Sequence, residues 1–278
     1  MDLINSQIHE LADLSVLYLD AGWDNVMFRL GEDYVIRLPR RSLGAELIRN
    51  EQLYLDYLPD QLPINIPKPI FIGRPQDNYP WHWSVLPFFK GEAADISALK
   101  SSEISRFIHF LKCIHIPANG IAPINTQRGV DFFDRVEDVE QRLLNVKDHL
   151  PDKYLPILRL WREALSADKN KYDIWLHGDL HPRNVLVENG KISAIIDWGD
   201  ITSGDVATDL ASIWMLFDDP SVRIRAIHDY EMDTNLLART KGWVIYFASV
   251  FYLNGLADNS RHIKIGEQAF NRLLEDFG

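Results

Sequence analysis

HGDLHPRNVLVENGKISAIIDWGD, residues 177–200, decides the reading of this chain. Val185-Leu186-Val187 and Ile192 to Ile196 are apolar runs joined across Glu188-Asn189-Gly190, and Asn-Gly is among the strongest short-range hairpin signals. Polar residues crowd the ends of those runs, where a rigid scaffold can present side chains to a cleft. Pro182 keeps the loop shared by Asp179 and Asn184 out of a helix, and Asp197 follows Ala194-Ile195-Ile196 as the second run leaves the core. The hairpin therefore returns Asp197 beside Asn184. An amide oxygen and a carboxylate brought together this way, with waters and phosphate oxygens completing the shell, suit Mg2+, which prefers hard oxygen ligands and few protein groups. Asp179, five residues before that asparagine, is then placed to hold a hydroxyl for in-line attack on a metal-bound phosphate.

Outward from this stretch, the composition sets bounds. The 278 residues are 46% hydrophobic and 25% charged with no biased tract, which excludes a disordered or collagen-like chain. Twenty-nine Lys and Arg against 40 Asp and Glu leave a net charge of −11, a field that repels polyanions, so neither nucleic acid nor an anionic membrane surface is an expected partner. The longest apolar stretch, Trp243 to Leu253, is interrupted by Ser249 and is shorter than the roughly 20 residues that span a bilayer. Cys113 is the only cysteine, so no internal disulfide can form. The first residues carry acids where a secretory signal needs early positive charge, and a cytoplasmic location is expected.

Along the chain, Ile4, Ile8, Leu11 and Leu14 predict an amphipathic helix over residues 4–19. Val26, Phe28, Leu30 and Tyr34, Ile36, Leu38 alternate across Gly31-Glu32-Asp33 and predict a hairpin ended by Pro39. A helix follows from about residue 44 to 58, then a Pro-rich connection and a strand from Trp81 to Leu86. Pro87 and Gly91 mark a joint. Beyond it the pattern is helical, with helices predicted over 151–166 and within 241–275, broken by a β island that starts with Ile174-Trp175-Leu176. The expectation is two lobes: residues 1–90, with a hinge near 85–91, binding nucleotide, and residues 92–278 carrying catalysis and acceptor binding.

The small lobe supplies independent support. Glu51 falls on the apolar stripe of Ile48, Leu55 and Leu58, where an unpaired carboxylate is costly, and Arg37 alternates with the apolar residues of the preceding strand. The spacing D-x-x-x-x-N followed by a strand-end D-x-G is that of protein-kinase catalytic and metal-binding loops. His177-Gly178-Asp179 stands for His-Arg-Asp and Asp197-Trp198-Gly199 for Asp-Phe-Gly. With GDVATDLA following at 204–211, the chain resembles the aminoglycoside phosphotransferase and choline kinase family, small-molecule kinases that share the protein-kinase fold. Residues 22–41 and 79–92 also look like this family's nucleotide-binding lobe and hinge.

The resemblance implies an α+β, bilobal, protein-kinase-like fold and an Mg2+-dependent enzyme that uses ATP or GTP as donor. It implies Asp179 as catalytic base, Asn184 and Asp197 as metal ligands, and His177 and Asp209 as supports of the catalytic loop. Arg37 and Glu51 would take the place of the Lys–Glu pair that grips the α- and β-phosphates, arginine offering a fork where kinases usually offer a point charge. The purine would lie against the linker near Val85, Leu86 and Phe88, where Pro87 removes one donor. Asp20 to Asn25 is the expected phosphate cover, although it lacks G-x-G-x-x-G.

The expected acceptor is a small hydroxylated molecule. Nine acids against Arg223 and Arg225 between Asp197 and Asp233 suggest an acidic wall that would favour an aminoglycoside-like or other cationic compound, with antibiotic resistance as one role; a solvated acidic face is the competing reading. Monomer and homodimer are both compatible. Three other functions compete. A nucleotide-binding pseudoenzyme or regulatory module is favoured by Arg37 in place of lysine and opposed by the retained Asp179, Asn184 and Asp197. A protein kinase is disfavoured by the missing A-P-E segment. A metallohydrolase using His177, Asp179 and His181 does not call for the Asn184 and Asp197 pairing. His109 and His115 near Cys113 read as packing or surface residues.

Overall fold

A short helix and three strands begin the fold. In the computed structural model, which describes residues 2–22, 24–76, 78–168 and 173–278, a short helix α1 (Asp2–Gln7) and a 3-10 turn lead into β1 (Val16–Ala21), β2 (Asn25–Leu30) and β3 (Tyr34–Pro39). Helix α2 (Ser42–Tyr54), β4 (Phe71–Gly73) and β5 (Trp83–Pro87) follow, and the five strands form one antiparallel sheet in the order β1-β2-β3-β5-β4. Leu30, Ile36, Trp83 and Val85 close on Ile4 from α1 to make a small core. The hairpin predicted across Gly31 is present, Leu30 facing Tyr34.

The opening helix is shorter than its periodicity predicts. Ile8, Leu11 and Leu14 do pack on the sheet core, but helix α1 ends at Gln7 and residues 16–21 become an edge strand. The open edge of β2 offers that segment a ladder of backbone partners, starting where Gly31 N donates to Ser15 O at 2.8 Å.

The larger core holds the rest. A two-residue strand β6 (Glu92–Ala93) precedes α3 (Ile104–Ile114), α4 (Val136–His149) and α5 (Pro151–Ala164). Then come β7 (Ile174–Leu176), β8 (Val185–Glu188), β9 (Lys191–Ile195), β10 (Thr202–Gly204) and the short helices α6 (Ala207–Leu210) and α7 (Ser212–Leu216). Helices α8 (Pro220–Tyr230), α9 (Thr234–Asp258) and α10 (Ser260–Phe277) complete the chain. Residues 243–248 of α9 are buried without a break, as suits a helix enclosed on all sides. The region read from sequence as helical over 241–275 is two helices, because Asn259 leaves helical geometry at φ −151° and its side chain caps Arg261 N. Among the described residues no helix is long and apolar enough to cross a membrane.

The predicted Asn189-Gly190 hairpin joins β8 to β9, with both turn residues at positive φ (55° and 79°), the geometry of a primed turn. β6 extends this pair on the β8 side. Ile174–Leu176, read as part of the same island, instead pairs with β10, a strand too short and polar to register in the sequence pattern. That second ladder holds the segment 123–129: Thr202 Oγ1 donates to Pro123 O at 2.9 Å, and a Cβ on Gly204 would lie 1.7 Å from Gly129 O. Gly204→Ala should therefore push this segment off β10 and cost about 1–3 kcal/mol. Gly22→Ala, whose Cβ meets nothing within 4 Å, should leave stability unchanged or raise it by up to about 1 kcal/mol. Urea midpoints of the two variants check this.

Candidate active site

Strand β3 delivers Arg37 into the protein interior, where its charge must be matched. Nη1 lies 2.7 and 2.8 Å from the two Glu51 oxygens, and Nη2 lies 2.7 Å from Asp197 Oδ1. Glu51 Oε1 also accepts from Trp198 N at 2.7 Å, so strand β3, helix α2 and the segment after β9 meet at one ion-pair cluster. Burial opposes the Arg37 charge, but Glu51 and then Asp197 hold the guanidinium above its ordinary range. The sequence pointed to the Arg37 and Glu51 pair; the third partner was not foreseen. Asp197 occupies the left-handed region at φ 62°, uncommon for a residue with a side chain, and its carboxylate is half exposed.

The loop from His177 to Asn184 is built on fully buried groups. Asp209 accepts from His177 N at 2.8 Å and Gly178 N at 2.9 Å, and is braced by His115 Nε2 at 3.3 Å, whose other ring nitrogen meets Tyr230 Oη at 2.7 Å. His115, which caps α3, thus serves this loop, a role its place beside an apolar helix gave no sign of. His177 Nδ1 accepts from Asp179 N at 3.2 Å, which leaves Nε2–H to donate to Ile196 O at 3.1 Å while the ring packs on Trp198. Asn184 closes the cluster: its Nδ2 donates to Asp179 O at 3.0 Å, and its own carbonyl accepts from Ile196 N at 2.9 Å. The residue before Asp197 is thereby tied to Asn184, and Asn184 to Asp179.

The Asp179 carboxylate meets Arg128 Nη2 at 2.7 Å through Oδ1 and His181 Nε2 at 3.2 Å through Oδ2. Burial alone would raise its pKa, but Arg128 first, then His181 and His177, hold it well below the usual carboxylate range. Asp200 lies in the same environment, its pKa raised by burial and by the charge of Asp179. Arg128, Asp200 and their bridge Asn125 escaped sequence reading, since 51 positions separate Arg128 from Asp179 and no spacing rule connects them.

The His177, Asp179, His181 alternation does not form a metal triad. Both His177 nitrogens are engaged with backbone, His181 Nδ1 accepts from Arg183 N, and among the described residues no three His, Cys, Asp or Glu side chains are grouped to hold a metal. In the linker, Val85 O already accepts from Ile70 N and Phe88 N already donates to Asp33 O, while Leu86 pairs with Val35 in the sheet. Of Asp20 to Asn25, Asp20 and Ala21 end β1 and Asn25 begins β2, with Gly22 N bonded to Asn25 O; Trp23 lies outside the described residues.

The acid-rich run is mostly committed elsewhere. Asp205 pairs with Arg239, Asp209 holds the loop above, Asp218 pairs with Arg272, and Asp219 and Asp233 cap α8 and α9. Asp229 and Glu231 meet Arg225 and Lys112. Of the nine, Asp197 and Asp200 remain to face the site, which overturns the expectation of an acidic wall.

Comparison with known proteins places this geometry. A family model described as the phosphotransferase enzyme family matches residues 15–243. An uncharacterized protein of Bacillus subtilis (strain 168), YcbJ, is 24% identical over 210 residues, 68% of this chain; the match spans 65% of that relative's length. Among solved structures, the GDP complex of aminoglycoside 2'-phosphotransferase-IIIa superposes with a TM-score of 0.70 at 16% identity, covering 99% of this chain and 98% of the other. Macrolide 2'-phosphotransferase type I superposes with a TM-score of 0.61 at 17% identity, covering 95% and 96%. The fold is that of the protein-kinase-like aminoglycoside phosphotransferases, and the chain belongs to the phosphotransferase enzyme family.

Proposed function

We propose that this protein transfers the γ-phosphoryl group of ATP or GTP to a hydroxyl of a small molecule. The observation that carries the reading is the hydrogen-bonded cluster joining Asp179, Asn184 and the strand end at Asp197 directly beneath the Arg37 and Glu51 pair. Phosphoryl transfer asks little covalent chemistry of a protein and much positioning, and this cluster is a positioning device.

Asp179 would accept the hydrogen bond of the acceptor hydroxyl, aim its oxygen in line with the γ-phosphorus, and take the proton late. A carboxylate held strongly ionised is a weak base, which suits orientation of the nucleophile better than early deprotonation. Arg37, braced by Glu51 through Nη1, would turn Nη2, which meets Asp197 here, to an α- or β-phosphate oxygen. Leu86 and Phe88 would flank the purine, with edge contacts coming from linker groups other than the Val85 carbonyl and the Phe88 amide.

The residues fit Mg2+. Asn184 Nδ2 is committed to Asp179 O, so the amide is oriented with Oδ1 available, and Asp197 gives Oδ1 to Arg37 while Oδ2 remains. Two hard oxygens from two groups match the few protein ligands this ion takes. Bound there, Mg2+ would neutralise charge on the β- and γ-phosphate oxygens.

Two outcomes follow. Asp179→Asn should lower transfer by about 100- to 10,000-fold with nucleotide affinity retained, whereas Asp197→Ala should weaken both. Calorimetric titration of nucleotide with Mg2+, alongside a coupled turnover assay over a panel of hydroxylated compounds, reads each separately; wild-type transfer by Asp179→Asn would remove its assigned role. At the ion-pair cluster, Arg37→Met strands the Glu51 charge and should cost about 3–5 kcal/mol of stability. Arg37→Lys keeps the charge but cannot span Glu51 and Asp197 with one fork, so it should fold and bind nucleotide more weakly than wild type. Thermal melts and the same titration check both.

A further inference from the structure

Two charged groups are built into the fold beside the Asp179 carboxylate, the Arg128 guanidinium and the Asp200 carboxylate. Arg128 Nη2 lies 2.7 Å from Asp179 Oδ1, its side chain only 18% exposed. Nη1 reaches Tyr246 Oη at 3.3 Å, and the guanidinium sits 5.2 Å from the Phe247 ring, both on α9. Its backbone is equally fixed. Asn125 Oδ1 accepts from Gln127 N and Arg128 N while Asn125 Nδ2 donates to Asp200 Oδ1, and Gly129 packs against Gly204. On the other flank, His181 leans on Phe251, Phe251 on His262, and Arg183 Nη1 lies 2.5 Å from His262 Nε2.

A guanidinium has five N–H donors. Asp179 and Tyr246 engage two of Arg128's, which leaves donors for an anion lying beside the Asp179 carboxylate. A fork of this kind matches a carboxylate or phosphate in two parallel hydrogen bonds, and in a half-dry site such bonds are stronger than in water. A polyamine would instead be opposed by Arg128 and, apart from Asp197 and Asp200, would find the acid-rich run already paired off. We infer that the acceptor is a hydroxylated acid, whose anionic group is anchored by Arg128 so that a neighbouring hydroxyl comes to Asp179. This inference rests on the kinase reading above and names the substrate class of that same site; it departs from a cationic acceptor.

The test uses matched acceptors with the full chain, Mg2+ and each nucleotide: glycerate, glycerol 3-phosphate, glycerol and serinol; gluconate, glucose 6-phosphate, glucose and glucosamine; and kanamycin as a polycation. Ligand-observed NMR reads binding and a coupled assay reads transfer. An anionic member of a set should bind and turn over best, and the carboxylate and phosphate arms separate the two anions. Arg128→Gln should raise KM for that member by about 10- to 100-fold and abolish its advantage over the neutral partner, any fall in kcat from the lost Asp179 contact being shared by both; Arg128→Lys should keep part of the preference. Thermal melting verifies that both variants fold. Preference for the amine or neutral members overturns the inference, as does failure of every anionic member to bind at millimolar concentration. An equal change in KM for anionic and neutral acceptors in Arg128→Gln overturns it too. Transfer to an amine that Asp179→Asn abolishes leaves the kinase reading standing and refutes only the acid; absence of Mg2+-nucleotide binding refutes both.

Discussion

One buried guanidinium sets the geometry of this protein. A charge in the interior cannot be left unmatched, and Arg37 is matched by carboxylates from two places far apart in the chain, Glu51 and Asp197. Because Glu51 also accepts from Trp198 N, the position of the strand end after β9 is dictated from the opposite side of the site by the sheet and α2. Removing any partner would leave another exposed to a poor dielectric, so the arrangement is held as a unit. It also fixes Asp197 in a left-handed conformation that its own preferences would not choose, the kind of local cost that clusters where function demands it.

A second ion pair works in the same way on the loop from His177 to Asn184. Asp209, fully buried, fixes the backbone at His177 and Gly178; His177 fixes Asp179 from below; Arg128 and His181 then hold its carboxylate from either side. The two clusters divide the labour proposed for the site, with Arg37 facing the nucleotide phosphates and Arg128 facing the acceptor. Charge that looks from composition like an acidic surface is spent largely on helix caps and structural pairs. Net charge argued against polyanion partners as a prior, yet said nothing of how the charges beside Asp179 are paired.

Local chemistry was legible where it was written in adjacent residues. Asn189-Gly190 specified its hairpin, Gly31-Glu32-Asp33 its own, and alternation put Arg37 on the strand that faces Glu51. What the sequence hid was tertiary. Residues 16–21 form a strand because β2 offers an edge, which periodicity cannot see; β10 is three residues long and exists by pairing with β7. His115 and Arg128 lie 94 and 51 positions from the groups they serve, and only the packed structure brings them there. The acid-rich run misled because counting charges does not reveal which of them already have partners.

The most direct measurement is a crystal structure of the chain with Mg2+ and a non-hydrolysable ATP or GTP analogue. A metal should be held by Asn184 Oδ1 and an Asp197 oxygen at about 2.0–2.1 Å, with an α- or β-phosphate oxygen on Arg37 and Asp179 facing the γ-phosphate across a gap wide enough for one hydroxyl oxygen. A nucleotide bound away from Arg37, or a metal held without Asn184 and Asp197, would contradict this arrangement.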